Sequence, residues 1–214
     1  YNSFDVTPVA SKAMGFNSSA NGLTSIDSTS LILIKTLTAS SSSTLAFVDG
    51  TSDVVLDDTY PIYIFKWTGI HPSSNGARFN FNVSIDSGSN YNVAKTSTFW
   101  NAYHTEDDTT SAGQAYNTGG DLAQGTGAQN IFRGVGAGND EAISGELWLF
   151  NPSSTTYSKH YYARSTVTTS DPGAAESFVG GYANTTSAVD ALHFLFHTGN
   201  IDAGTIKLYG IKDS

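Results

Sequence analysis

The sequence contains no cysteine, and this absence excludes both a disulfide framework and a thiolate metal site. Stability must therefore come from packing or from assembly. Basic residues are also scarce, since 10 Lys and Arg stand against 19 Asp and Glu and give a net charge of -9. A nucleic-acid groove needs clustered Lys and Arg to neutralise phosphates, so we expect no nucleic-acid partner.

Long apolar runs are missing as well. No segment approaches the roughly 20 apolar residues that cross a bilayer. The first residues, YNSFDVTPVASKAMGF, lack the basic and apolar regions of a signal peptide. We therefore expect no membrane partner, and any export would use another route.

The sequence is rich in the residues that build strands and turns. It has 21 glycines and 12% aromatic residues, many Ser and Thr, and no segment that predicts a helix of more than a few turns. Thr and aromatic side chains suit a pleated surface, whereas Gly, Asn and Ser suit turns. We predict strands over 30–38, 43–48, 60–70, 77–85, 97–104, 144–151, 157–167, 176–183, 191–198 and 204–211.

The segment 77–85 gives the clearest strand pattern. Asn75 and Gly76 precede it and favour a tight turn. Within the segment, apolar and polar residues alternate, which is the period of a strand with one face toward a core. The predicted apolar face holds Phe79, Phe81, Val83 and Ile85, and the other face holds Arg78, Asn80, Asn82 and Ser84.

About ten short strands separated by turns predict an all-β protein, an antiparallel β-sandwich of the jelly-roll type. We assign residues 31–214 to this single domain. Residues 1–30 show neither strand nor helix periodicity and are interpreted as an extended N-terminal arm, with a disordered tail as the alternative. The spaced apolar residues of the arm would dock on a neighbouring subunit; they are Phe4, Val6, Val9, Met14 and Phe16.

A long glycine-rich, acidic stretch separates His104 from Ser144 and is interpreted as a loop, in which residues 129–133 form one further short strand. Six aromatic residues are candidates for a platform that binds sugar rings: Trp67, Trp100, Tyr103, Tyr116, Tyr161 and Tyr162. The alternative is that such rings fill the sandwich core. We choose as candidate glycan-binding residues those that flank the long loop, where exposure is expected. They are Trp100, Tyr103, His104 and Tyr116.

No catalytic, cofactor or metal signature stands out, and we predict none. His193 and His197 share a strand face but lie four residues apart, too far for an easy zinc pair. The acidic clusters at 49–53, 106–108 and 140–141 match no EF-hand spacing, so calcium is a minor alternative. Glu146, beside Trp148, is the most suggestive carboxylate for glycoside hydrolysis, but a solvent-facing strand residue explains it more simply.

The last strand, GTIKLYGI, has apolar residues on both faces. Ile206 and Leu208 face one way, whereas Lys207, Tyr209 and Ile211 face the other. This pattern predicts a strand that is covered on both sides or lies near an interface. Gly210 predicts a bulge or a close approach by another backbone.

Several blocks of the sequence resemble uncharacterised proteins of tailed bacteriophages and marine viruses. They are LIKTLTASSSSTLAFVDG, DDTYPIYIFKWTGIHPSSNGARFNF, NAYHTEDD, SGELWLFNPSSTTYSKHYYAR, GGYANTTSAVDALHF and TGNIDAGTIKLYGI, spread over residues 31–211. The resemblance implies a virion protein that is made in the cytoplasm of a bacterial host. It carries over no functional residue.

Three functions are compatible with this setting, because one fold hosts many functions. The first is a non-catalytic structural protein, either a capsid decoration protein or a fibre or appendage subunit, with copies of itself and other virion proteins as partners. The second is an adhesin that binds host-surface glycans. The third, and weakest, is an enzyme that degrades polysaccharide.

Overall fold

Every regular element in the described part of the chain is a β-strand. The computed structural model describes residues 13–16, 19, 22–26, 30–107 and 112–212. The strands are β1 (Ala13–Phe16), β2 (Leu23–Ile26), β3 (Leu31–Thr38), β4 (Leu45–Val48), β5 (Ile62–Pro72), β6 (Ala77–Ser84), β7 (Lys95–Thr105), β8 (Ala112–Tyr116), β9 (Gln129–Val135), β10 (Ile143–Phe150), β11 (Lys159–Thr168), β12 (Gly173–Ala183), β13 (Ala191–Phe196) and β14 (Ile201–Ile211).

The strands form two main antiparallel sheets that pack face to face. The large sheet has eight strands in the order β3-β14-β5-β10-β11-β12-β7-β8, and the small sheet has four in the order β4-β13-β6-β9. All pairings between neighbouring strands are antiparallel. The prediction of an all-β antiparallel sandwich is therefore confirmed, whereas its jelly-roll type stays a prediction.

Aromatic rings fill the space between the sheets. Phe65 and Trp67 extend from the large sheet and meet Phe47, Phe79 and Phe194 of the small sheet, with ring centroids 5.3–5.8 Å apart. These five side chains are essentially fully buried. Edge-to-face contacts of this kind add to the free energy gained by burying the rings. For Trp67, the sequence-based alternative of a core residue is thus correct.

Strand β6 lies in the small sheet with both faces covered. Phe79, Phe81 and Val83 are buried as predicted, but the strand ends at Ser84 and Ile85 is 40% exposed. Its polar face is also buried, because loops close over it: the amide of Asn82 donates to the carbonyls of Tyr91 and Thr126. Alternation in the sequence identified the two faces but not the loops that cover the polar one.

The stretch predicted to be one long loop contains two strands. Residues 129–133 lie in β9, as predicted, but β8 pairs with β7 and forms one edge of the large sheet. The loop interpretation was wrong for β8 because its sequence, AGQAY, has no β-branched residue and no alternation. Pairing with the neighbouring strand, and not local propensity, makes it a strand.

The predicted arm includes a short hairpin. Strands β1 and β2 pair with each other and, among the described residues, with no other strand. Met14 and Phe16 belong to β1, and the Phe16 side chain is 73% exposed. Phe4, Val6 and Val9 lie outside the described residues. Docking of the arm on a neighbouring subunit stays a prediction.

The last strand, β14, lies inside the large sheet between β3 and β5. Ile206 and Leu208 are fully buried against the small sheet, whereas Lys207 is exposed, so one face is covered within the chain. The close approach predicted at Gly210 is made by a side chain and not by a backbone. A Cβ atom there would lie 2.4 Å from the ring of Tyr60.

Candidate functional site

Two neighbouring rows of side chains form the middle of the outer face of the large sheet, the face that points away from the small sheet. Successive residues of a strand point to opposite faces, so the strand register fixes which residues are neighbours. The first row crosses six strands as Lys66, Glu146, Arg164, Phe178, Trp100 and Tyr116. The second row, two residues along, is Ile64, Trp148, Tyr162, Gly180 and Thr98.

The middle of the first row is a continuous stack. The rings of Trp100 and Phe178 are nearly parallel, with centroids 4.1 Å apart and an interplanar angle of 9°. The guanidinium of Arg164 lies 5.0 Å from the centre of the Phe178 ring, on a cation-π contact. Arg164 also donates from Nε to the carboxylate of Glu176. Glu176 and Arg164 thus fix the ring of Phe178, against which Trp100 rests.

Glu146 links the two rows. Its Oε1 atom accepts a hydrogen bond of 2.9 Å from the indole nitrogen of Trp148, and its Oε2 atom lies 3.2 Å from the ammonium of Lys66. Trp148 in turn stacks on Tyr162, with centroids 5.7 Å apart. Burial and the charge of Glu146 raise the pKa of the Tyr162 hydroxyl, so it remains protonated and able to donate. One carboxylate oxygen of Glu146 therefore orients the aromatic pair through Trp148, and the other is paired with Lys66.

A depression of about 470 Å³, which we call the outer groove, lies between the Trp100–Phe178 stack and Tyr162. Its floor is at Gly180, and the side chains around it are Thr98, Trp100, Glu146, Tyr162, Arg164 and Phe178. A second depression of about 280 Å³ shares Glu146 and Arg164 with it and extends toward Lys66. The groove combines ring surfaces with hydroxyl, carboxylate and guanidinium groups, the usual make-up of a small-ligand site.

Two of the four predicted glycan-binding residues lie together on this face. Trp100 and Tyr116 are directly opposite on β7 and β8, and with Gln114 they line a slot of about 200 Å³ beside the outer groove. Both rings are accessible, at 38% and 54% exposure. The Tyr116 hydroxyl donates to Asp121 over 2.5 Å, which raises the pKa of Tyr116 and holds its ring in place.

The other two predicted residues lie away from the groove. Tyr103 is opposite Ala175, a residue of the buried face, and lines a separate depression with Phe132 and Arg133. His104 follows it near the end of β7, where its Nδ1 atom lies 2.8 Å from the carbonyl oxygen of Thr105. The structure thus brings Trp100 and Tyr116 together but places Tyr103 on the opposite side of the strand.

Sequence reasoning missed several residues of the groove, namely Phe178, Arg164 and Gly180. Tyr162, which the sequence offers as one of six aromatic candidates but which does not flank the long loop, also lines the groove. The alternation in KHYYARST already placed Tyr162 and Arg164 on one face, away from Tyr161, which is buried. The missing information was the register between strands, which joins these residues into one surface.

The histidines that were considered as metal ligands have other contacts. The ring of His193 stacks on Tyr91 with centroids 3.7 Å apart, and Nδ1 of His197 accepts a hydrogen bond from the Arg78 amide. Burial lowers both pKa values, that of His193 to about 4 with help from the charge of Lys95. No group of three or more His, Cys, Asp or Glu side chains within the described ranges has the arrangement of a metal site.

The described part of the chain includes no helix with the length and hydropathy of a membrane span. Comparisons with protein-family models, with curated proteins and with solved structures found no match to the chain.

Proposed function

We propose that the protein is a non-catalytic binding component of a bacteriophage virion, and that it attaches to host-surface glycans through the outer face of the large sheet. The virion setting comes from the sequence resemblance. The observation that carries glycan binding is the outer groove, because three aromatic rings line it: the stacked pair Trp100 and Phe178 on one flank, and Tyr162, which stacks on Trp148, on the other.

The chemistry of the groove suits a sugar. A sugar ring has an apolar face that packs on an aromatic surface and hydroxyl groups at its edge that need hydrogen-bond partners. Around the groove, the side chains of Thr98, Tyr162 and Glu146 offer both donors and acceptors. All of these groups stand on paired strands, and such a rigid support holds a binding site more accurately than loops do.

The contacts of the carboxylates favour binding over catalysis. Glycoside hydrolysis uses two carboxyl groups, one as acid and the other as nucleophile or base. Here Glu146 is engaged by Trp148 and Lys66, and Glu176 by Arg164. Both carboxylates serve to position aromatic or cationic neighbours, which supports a non-catalytic role.

The strand order also supports the jelly-roll assignment, which belongs to the proposal. Strands β3, β14, β5 and β10 are adjacent in the large sheet, and β4, β13, β6 and β9 make up the small sheet. Along the chain, these eight strands switch between the two sheets at every step except from β6 to β9, as in two interlocked Greek keys. Strands β11, β12, β7 and β8 then extend the large sheet and supply most of the outer groove.

The test is a glycan array followed by affinity measurement with the best ligand. Tyr162→Ala and Trp100→Ala should each weaken binding about tenfold or more, because each removes a ring from one flank of the groove. The matched control is Tyr157→Ala, which removes an aromatic residue, 68% exposed, from a loop outside the groove. No binding by the wild type, or equal binding by all variants, would contradict the proposal.

A structural role, as a capsid decoration protein or a fibre or appendage subunit, is the second candidate. It is favoured by Leu33, which is 51% exposed on β3, the edge strand opposite β8. An exposed apolar side chain on an edge strand is suited to contact with another protein chain. Both roles are compatible in one virion protein, since they use different parts of the large sheet.

A further inference from the structure

The floor of the outer groove is formed by one of two adjacent glycines that differ in what the fold requires of them. Gly181 faces the inside of the sandwich, and a Cβ atom there would lie 2.4 Å from the carbonyl oxygen of Thr96. Gly180 faces outward, and its Cβ atom would meet only the hydroxyl of Thr98, at 3.8 Å. The backbone of Gly180 is not in the left-handed region either. Packing thus requires a glycine at 181 but not at 180.

A glycine inside a strand is unfavourable unless something needs the space. On the second row, Gly180 stands between Tyr162 on one side and Thr98 on the other, where a side chain would project into the groove. The missing side chain therefore deepens the surface between the Trp100–Phe178 stack and Tyr162. The gap is best explained by a ligand that approaches the backbone at this point.

Charge at the groove favours a neutral ligand. Each charged group that faces it has a partner of opposite charge: Glu146 lies 3.2 Å from Lys66, and Arg164 binds Glu176. No cation in the described lining is left to attract an anionic sugar, and the whole chain carries a charge of -9. An acidic polysaccharide would therefore be repelled at long range and find no compensating cation at the site.

We propose that Gly180 is the specificity-determining floor of a subsite for a neutral hexose ring, held between the Trp100–Phe178 stack and the ring of Tyr162. This inference rests on the proposed function and adds the class of sugar and the residue that admits it. A side chain larger than hydrogen at position 180 would fill the subsite while leaving the sheet intact.

The experiment is native affinity electrophoresis in gels that contain dextran, mannan or laminarin as neutral probes, with alginate as the acidic probe. The wild type should be retarded by at least one neutral polysaccharide and not by alginate. Gly180→Val should weaken that retardation at least tenfold with an equal or higher Tm, since valine favours strands. Gly180→Ala should give an intermediate loss, and it is the informative variant if valine perturbs folding.

The matched control is Ala174→Val, which adds the same kind of side chain to an exposed position on the same strand, outside the groove. It should bind as the wild type does. If Gly180→Val and Gly180→Ala both bind like the wild type while Tyr162→Ala does not, the role of Gly180 is overturned and the proposed function stands. Retardation by alginate alone would overturn the neutral class, and retardation by no probe together with a negative glycan array would overturn both proposals.

Discussion

Two lysines, Lys95 and Lys159, are fully buried, and among the described residues neither has a carboxylate partner. Lys159 donates to the carbonyl oxygens of Ser154, Tyr157 and Thr185, and so ties together two loops at one end of the sandwich. Lys95 donates to the Asn82 side chain over 2.5 Å and to the carbonyl of Val93 over 2.7 Å. Burial disfavours the charged form and lowers the pKa of both ammonium groups, that of Lys95 to about 8.

The lowered pKa of Lys95 predicts a stability that rises with pH. Between about pH 8 and 9.5, the unfolded chain holds the Lys95 proton while the folded protein releases it, so the free energy of unfolding increases by about 1.5 kcal/mol. Urea denaturation across this range measures the change. The measurement should not go to higher pH. Burial raises the pKa of Tyr63 and Tyr161 above the ordinary tyrosine value, so these groups would lose their protons in the unfolded chain first. That deprotonation lowers the free energy of unfolding and would mask the effect of Lys95.

The variant that tests this assignment is Lys95→Met, which should lose most of the rise. The exposed Lys207→Met is the matched control and should keep it. A wild-type stability that is flat or falls between pH 8 and 9.5 would contradict a neutral Lys95 in the folded state.

At the scale of elements, the sequence predicted those strands whose side-chain pattern determines the conformation. It did not predict the strands that form because they pair with a neighbouring strand. Strand β6 alternates so regularly that its buried Phe79 and Phe81 were identified in advance. Strand β8 was missed because nothing local distinguishes AGQAY from a loop, and the β1–β2 hairpin was missed for a similar reason. The same holds for the candidate site. Trp100 and Tyr116 are predicted because aromatic residues suit sugar binding, whereas the places of Phe178 and Gly180 in the site follow only from the register between strands.

The two sheets are also joined by a buried hydroxyl contact, which predicts a measurable cost on its removal. Ser177 of β12 donates over 2.8 Å to the carbonyl oxygen of Ile131 in β9, and its hydroxyl lies 2.6 Å from that of Ser165. Ser177→Ala should lower the free energy of unfolding by about 1–3 kcal/mol, because a buried carbonyl loses its side-chain donor. Ser187→Ala, at an exposed loop position, is the control and should change stability by less than about 0.5 kcal/mol. Equal stability of the two variants in urea denaturation would show that the contact does not support the packing of β9 on β12.

At the scale of the whole molecule, the large sheet has two different edges. Strand β8 ends the side that carries the outer groove, and its five residues are exposed. Strand β3 ends the other side, where it presents apolar side chains such as Leu33 to solvent. The chain has no cysteine that could form a disulfide between subunits, so assembly would depend on non-covalent contacts between exposed surfaces. The groove edge therefore suits a glycan, and the β3 edge suits another protein chain.

The last prediction concerns self-association through β3. If the protein is an oligomeric virion component, the wild type should sediment as an oligomer, and Leu33→Lys should shift it toward the monomer by placing a charge in an apolar contact. Thr36→Lys adds the same charge to an exposed position on the same strand and is the matched control for the general effect of charge. Thr36 lies three residues from Leu33, so the Thr36→Lys variant should dissociate the oligomer less than the Leu33→Lys variant does. Analytical ultracentrifugation separates the possible outcomes. An oligomer that Leu33→Lys leaves intact would place the subunit contact elsewhere. A wild-type monomer that binds no virion protein would contradict the structural role, but it would not affect the proposal of glycan binding through the outer groove.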